Sequence, residues 1–213
     1  MTETAHPLEV TPLFITPVFS REWHEAGVQN RQLEQFIRSE MEVSSGVTLS
    51  NLGGWQSNDD LLQRDAGCIG AFRNWIISST LEIYQHFYKG RFRELLRAEN
   101  INITFECTAW ANVNPAGTGN KLHNHPGSHW SGVYYVRTPP DCGEIEFLDP
   151  RLGVNMVTAR HRLLDIFGQN QIRVQPRSGL TVMFPSWLYH SVGDNRSSED
   201  RISIAFNVAL RKA

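Results

Sequence analysis

Charge of one sign is what this chain most plainly lacks. Lys and Arg number 20 against 22 Asp and Glu, a formal net charge of −2. Nucleic-acid binding leaves a basic patch or stripe, so no nucleic-acid partner is expected. Cysteine is scarce: Cys68, Cys107 and Cys142 are odd in number, widely spaced and without a C-x-x-C pair. That pattern argues against a disulfide or thiolate-metal role and reads as buried or free thiols in a reducing compartment. No stretch approaches the roughly 18 apolar residues that a membrane helix needs. Pro7, Pro12 and Pro17 break up the segment where a secretory signal would carry its apolar core. The expectation is a cytoplasmic protein with no membrane partner. Repeats, low-complexity tracts and linker-like stretches are absent too, so residues 1–213 are read as a single domain.

What is present is aromatic: 11 Phe, 6 Trp and 5 Tyr among 213 residues, with apolar residues at 40%. This suits a large core or an aromatic-lined pocket. Residues 8–20 are extended and β-branched, but their prolines confine them to an edge strand. Over 29–43, Leu33, Phe36, Ile37 and Met41 fall on one face at helical spacing. Ser57-Asn-Asp-Asp60 offers a capping-box-like helix start. A longer helix is predicted from Gly70 to Tyr88, burying Phe72, Trp75, Ile76, Ile83 and Phe87. Gly90 interrupts it before a last turn or two carrying Phe92, Leu95 and Leu96.

After Asn100 the period changes to two. Residues 101–114, 130–137, 143–148, 171–176, 180–184 and 201–210 read as strands separated by Pro, Gly and Asn turns. Helices followed by many short strands predict an α+β fold. In it, a double-stranded β-helix (jelly roll) barrel over 101–213 is supported by an edge strand and helices from 1–100.

The chemistry-bearing residues fall in that β half. Gly117-Thr-Gly-Asn-Lys-Leu-His123-Asn-His125 places two histidines one residue apart, which a strand sends to one face. His190 follows the apolar run Leu180–Phe184 and a Pro185–Tyr189 turn, so a distant segment can complete a three-imidazole metal site. Imidazole suits Zn, Cu and Ni as well as Fe. In Arg201-Ile-Ser-Ile-Ala-Phe-Asn-Val208, Ile202, Ile204, Phe206 and Val208 face one way, towards the helices. Arg201, Ser203, Ala205 and Asn207 face the other, where a guanidinium could grip a carboxylate. Tyr135 could add a hydroxyl to that carboxylate, and Asn112 and Asn114 share a face with Trp110.

These segments, with Gly143-Glu-Ile-Glu-Phe147, Phe184-Pro-x4-His190 and Arg201-x-Ser-x-Ala-Phe206, resemble the Fe(II)/2-oxoglutarate-dependent dioxygenases. The prolyl-hydroxylase-like branch, and within it a bacterial and phage group, is closest. The resemblance covers roughly 103–210. It implies Fe(II) as metal, 2-oxoglutarate as cosubstrate and hydroxylation of a substrate C–H bond. It also implies His123 and His190 as metal ligands, Arg201 as anchor for the distal carboxylate, and Tyr135 as its helper. His125 stands where that family usually has Asp or Glu. A three-histidine site follows if His125 ligates; His129 or another group as a substitute ligand, or impaired catalysis, follows if it does not. His129 is otherwise expected to line the pocket, and Trp110, Trp130 and Trp187 to shape its wall. Gly53-Gly-Trp-Gln-Ser57 is also found in that bacterial group, with no role that follows from its residues.

Two rivals stand beside this reading. A three-histidine cupin needs no 2-oxoglutarate and fits Gly117-x5-His123-x-His125, but lacks that fold's glutamate and its P-x-G-x-x-H, and has no task for Arg201. A non-catalytic metal- or ligand-binding barrel would explain the missing carboxylate. A small-molecule, peptide or protein side-chain substrate all stay open, as does a homodimer.

Overall fold

In the computed structural model, residues 9, 11–24, 26–151, 153, 156 and 171–213 are described. Three helices precede most of the strands: α1 (Ala26–Val43), α2 (Gly67–Phe87) and α3 (Phe92–Ala98). The strands are β1 (Phe19–Glu22), β2 (Asn51–Leu52), β3 (Trp55–Gln56), β4 (Ile103–Asn114), β5 (Gly119–His123) and β6 (Trp130–Arg137). They continue as β7 (Ile145–Leu148), β8 (Gln171–Val174), β9 (Leu180–Pro185), β10 (His190–Val192) and β11 (Arg201–Lys212). They form a six-stranded sheet ordered β1-β9-β6-β11-β4-β3 and a five-stranded sheet ordered β2-β5-β10-β7-β8. The pairings within them are antiparallel. The α+β expectation holds; the strands make two open sheets rather than one closed ring.

Strand alternation sorts the long strands into two environments. Ile202, Ile204, Phe206 and Val208 of β11 are fully buried in a core shared with Leu33 and Ile37 of α1 and Phe72 and Ile76 of α2. This is the helix-facing side that the sequence predicts. Specific polar contacts fix the helices there: Tyr134 Oη donates to Asn30 Oδ1 at 2.6 Å and Trp75 Nε1 to Thr181 Oγ1 at 2.7 Å. Trp23 stacks on Trp75 at 4.9 Å, and the Arg21 guanidinium lies 4.1 Å over the Trp75 ring. The opposite face of the six-stranded sheet meets the five-stranded one. There Tyr135, Val182 and Phe184 pack against Ile145, Phe147 and Leu188 in a second, smaller core.

Several local expectations change. The edge strand predicted over 8–20 is confined to Phe19–Glu22, at the predicted sheet edge; Leu8 and Val10 lie outside the described residues. Leu13, Phe14 and Ile15 are exposed, and Phe14 has φ 56°, which takes the chain out of the extended region. Ser57–Asp60 caps no α-helix. It precedes a short 3-10 turn at Leu61–Gln63, and the Ser57 hydroxyl instead accepts from the Ala111 amide at 2.9 Å. Phe87 is half exposed because it lies in the last turn of α2, beyond the body of the core. The sequence pattern does not reveal β2 and β3; it puts His123 on a strand and His190 at a strand start or rim, as found, without giving β5 and β10 their ranges. No helix among the described residues is long and apolar enough to cross a membrane.

Gly132 of β6 lies opposite Phe206 of β11, and a Cβ there would sit 2.4 Å from the Phe206 ring and 2.9 Å from the Val182 carbonyl oxygen. Overpacking of this kind costs about 1–3 kcal/mol, and truncation of a buried Phe about 3–5 kcal/mol. Gly132→Ala and Phe206→Ala are each expected to destabilise by those amounts in urea unfolding. In combination they should cost less than their sum, because removing the ring relieves the new methyl.

Candidate metal centre

The centre is assembled from three places in the chain. His190 opens β10, where it is the direct cross-strand partner of His123 at the end of β5. Their ring centroids are 4.3 Å apart. His125 lies just past the strand, so alternation along β5 does not position it. Its amide donates to Ser186 O at 2.9 Å, while Ser186 N donates to His129 O at 3.1 Å. The Ser186 hydroxyl also donates to Ser128 O. This clasp on the turn through Pro126 and Gly127 brings the His125 ring to 4.9 Å from that of His123 and 5.2 Å from that of His190. One nitrogen from each of the three rings lies within 4.8 Å of the other two. No carboxylate joins the group among the described residues.

Protonation and tautomer suit a metal. Burial, followed by its neighbour His123, pushes the His125 pKa down to about 4. Burial, again followed by His123, pushes His190 to about 3. His123 is lowered chiefly by burial. All three are therefore neutral near pH 7 and carry an available lone pair. The Nδ1 of His123 lies 2.6 Å from Lys121 O, and that of His190 lies 3.0 Å from Leu188 O. A carbonyl can only accept, so each Nδ1 must carry the proton, and each Nε2 is free for an ion. This is the outer hydrogen bond that orients histidine ligands in metal sites.

Beside the imidazoles lies a small internal cavity of about 50 Å³ lined by His123, His125, His190, Arg201, Tyr135, Asn112 and Ser203. Arg201 is 1% exposed, and its Nη1 donates to Cys142 O at 2.6 Å and to Gly193 O at 3.3 Å. No carboxylate of the described residues forms a salt bridge with it. Asp194 is the carboxylate that acts on it, through space and without a salt bridge, and a buried cation compensated only in that way leaves the cavity suited to an anion. Tyr135 is buried, and burial pushes its phenol pKa well up, so it stays a neutral hydroxyl. Asn112 Oδ1 has no partner.

Of the eight residues predicted to hold the metal or cosubstrate, only Asn114 does not line the cavity. It is the register partner of Arg201, buried, and its backbone carbonyl accepts from Asn195 Nδ2 at 2.8 Å. His129 is exposed and accepts from the Leu210 amide at 3.1 Å, away from both cavity and cluster. Of the three tryptophans, Trp110 packs 5.5 Å from His125 and lines the site. Trp130 belongs to the helix-side core, and Trp187 is 51% exposed. Gln56 lines a second, outer cavity of about 490 Å³ that shares Trp110, His123 and His125 with the first.

Residues 108–207 match the family model described as "Putative 2OG-Fe(II) oxygenase". That segment, a little under half of the chain, is thus similar to the 2OG-Fe(II) oxygenases. The solved structures agree in fold. A prolyl-4-hydroxylase of Pseudomonas putida is 14% identical, with a TM-score of 0.61 over 92% of this chain and 94% of its own. HygX of Streptomyces hygroscopicus, solved with nickel and 2-oxoglutarate bound, is 13% identical, with a TM-score of 0.54 over 91% of this chain and 83% of its own. A Trichoplax adhaerens prolyl hydroxylase, in complex with a hypoxia inducible factor peptide fragment, is 14% identical at a TM-score of 0.56, covering 90% of this chain and 83% of its own. No curated protein matches the chain.

The lowered imidazole pKa values set a pH dependence. Below the ordinary value of 6.5 the unfolded chain takes up protons that the folded cluster resists until about pH 4 to 3. Stability from this source is therefore complete above pH 6.5 and is lost as pH falls towards 4. The melting temperature of the metal-free protein should drop across that window, and His190→Asn should make the drop shallower. An equally steep drop in His190→Asn would show that His190 is not held neutral.

Proposed function

We propose that the chain is a non-haem Fe(II)/2-oxoglutarate-dependent oxygenase, a hydroxylase of the jelly-roll type, with His123, His125 and His190 holding the metal. The observation that carries this reading is Arg201: a buried guanidinium without a carboxylate partner among the described residues, in the same cavity as three neutral imidazoles. The family match over 108–207 and the shared fold support it.

Bound iron would supply the redox chemistry that couples decarboxylation of 2-oxoglutarate, giving succinate and CO2, to transfer of one oxygen atom of O2 into a substrate C–H bond. The chain's own part is positioning. Arg201 compensates and grips the distal carboxylate, with Tyr135 and Ser203 as hydroxyl donors and the Asn112 amide beside them. Cys142 O, Gly143 O and Gly193 O hold the guanidinium from behind, so its orientation is set before any ligand arrives. Phe184 and Ile145 line the same cavity and limit water around the carboxylate. Asn114 acts through Arg201's neighbourhood rather than on a ligand.

An all-imidazole donor set also favours a second reading, a three-histidine dioxygenase that uses no 2-oxoglutarate. Anaerobic Fe(II) titration separates the two. Addition of 2-oxoglutarate to the iron-loaded protein should produce a visible charge-transfer band. Arg201→Ala should weaken 2-oxoglutarate binding by roughly 10–100-fold, the loss of charge-assisted hydrogen bonds, while leaving Fe(II) affinity nearly unchanged. His125→Ala should lower Fe(II) affinity itself. Bound iron without any 2-oxoglutarate-dependent band would overturn the proposal and favour the second reading.

A further inference from the structure

The Gly53–Ser57 segment joins the two sheets. β2 pairs with β5 in the five-stranded sheet, and two residues later β3 pairs with β4 in the six-stranded one. The link turns through Gly53 and Gly54, at φ 68° and 70°, and a Cβ on Gly54 would meet Val113 O at 2.7 Å. Asn51 braces the turn, its Oδ1 accepting from Leu49 N at 2.9 Å. Trp55 Nε1 donates to Ser44 O at 2.9 Å, and Gln56 O accepts from Val47 N at 2.8 Å. The backbone at Gln56 is therefore fixed from both sides.

Its side chain is not. Gln56 is 3% exposed, its Oε1 has no partner, and it lines the outer cavity beside the imidazoles. A buried amide left unsatisfied destabilises the fold, and an isosteric apolar side chain would be neutral or better there. The fold itself gives no reason for this amide. Gln56 is the register partner of Asn112, which in turn lies opposite Ser203, and Ser203 opposite Tyr135. One polar row thus runs from the deep cavity out to Gln56. Four residues along β4 from Asn112, Thr108 lies opposite Asn207, whose Oδ1 accepts from the Ser131 hydroxyl at 2.7 Å. That bond leaves the Asn207 NH2 as the donor end, and Asn207 also lines the outer cavity. Between the two rows stands Trp110. Asp59, the one carboxylate of this lining, is exposed at its rim.

We propose that Gln56 and Asn207 are substrate-specificity residues: the outer cavity takes an elongated, uncharged substrate that gives a hydrogen bond to Gln56, accepts one from Asn207 and lays an apolar or planar middle on Trp110. Gln56 and Asn207 are about 13 Å apart along the strand direction, from four residues of rise, which calls for a molecule of more than one functional group. The inference rests on the oxygenase reading only for what happens to the bound molecule.

Binding of N-acetylphenylalaninamide and of N-acetylphenylalanine methyl ester to the full chain tests it, by calorimetry and Trp fluorescence. The two probes share a neutral middle and an acceptor, and only the amide has the terminal donor. Wild type should bind the amide roughly 5–10-fold more tightly, the effect of one hydrogen bond to an otherwise unpaired group. Gln56→Met should abolish the preference, leave the ester affinity unchanged and hold or raise the melting temperature. Asn207→Leu should weaken both probes. Absence of saturable binding, an amide preference that survives Gln56→Met, or tighter binding of the anionic N-acetylphenylalanine would each overturn the proposal. Amide preference in a protein without the 2-oxoglutarate-dependent band would leave this inference standing and defeat the oxygenase reading; a band without the preference would do the reverse.

Discussion

The site depends on one buried cation. Arg201 sits at the start of β11 with 1% of its surface exposed, where the transfer of a charge out of water costs several kcal/mol unless something compensates it. Three backbone carbonyls solvate Nη1, but carbonyls carry no net charge to balance a guanidinium. Those carbonyls come from the Cys142–Gly143 turn before β7 and from Gly193 just after β10. The same side chain thus ties the five-stranded sheet to β11 of the six-stranded one. Gly143 shows how tight that packing is: a Cβ there would lie 2.1 Å from Gly193 O and 2.9 Å from Arg201 Nη1. Asp194 compensates the Arg201 charge only through space, so an anionic ligand in the cavity beside the three histidines would relieve a cost already present in the protein.

β11 is where stability and chemistry are kept apart. Its twelve residues pair with β4 along their whole length and with β6 for much of it. One side gives four fully buried apolar residues to the helix core, and the other gives Arg201, Ser203 and Ala205 to the cavity. A one-residue slip would exchange those faces, so the helix core fixes the register of the site. Gly132 serves the same end by admitting the Phe206 ring against β6.

Strand alternation makes much of this legible in the amino-acid order. β4, β6, β9 and β11 are long enough for a period of two to show, and with it the facing of Arg201, Ser203, Tyr135 and Asn112. The short strands carry no such signal. β10 has three residues, and β5 reads Gly-Asn-Lys-Leu-His with mostly partial exposure, so neither looks like a strand in isolation. Their pairing is nonetheless what makes His123 and His190 direct neighbours. Spacing suggested that His125 joined through alternation; it joins through the Ser186 clasp, a long-range contact with no local signature. Trp130 and His129 went the other way for a related reason. Trp130 shares its face with Tyr134 rather than Tyr135, and His129 lies outside β6 altogether. Gln56 was visible only as part of an unexplained segment, because an unpartnered amide is a property of the packed structure.

The loop origin of His125 bears on the missing carboxylate. A ligand carried on a clasped turn has its ring position set by backbone bonds at Ser186, and the strand ladder does not constrain its side-chain type. Replacing a carboxylate with imidazole removes an anion that would have attracted the metal. It also removes the group that would have stabilised a proton on its neighbours. In the all-imidazole set burial acts first, His123 depresses the protonation of His125 and of His190, His125 adds to the effect on His190, and His125 and His190 stay unprotonated down to about pH 4 and 3. Metal binding then competes with no protons near neutrality. The loss of electrostatic attraction is therefore offset in part by ligands that are always in their binding form. In the proposed site, the remaining imbalance, a more positive centre beside Arg201, would strengthen the hold on a dianionic ligand in the inner cavity.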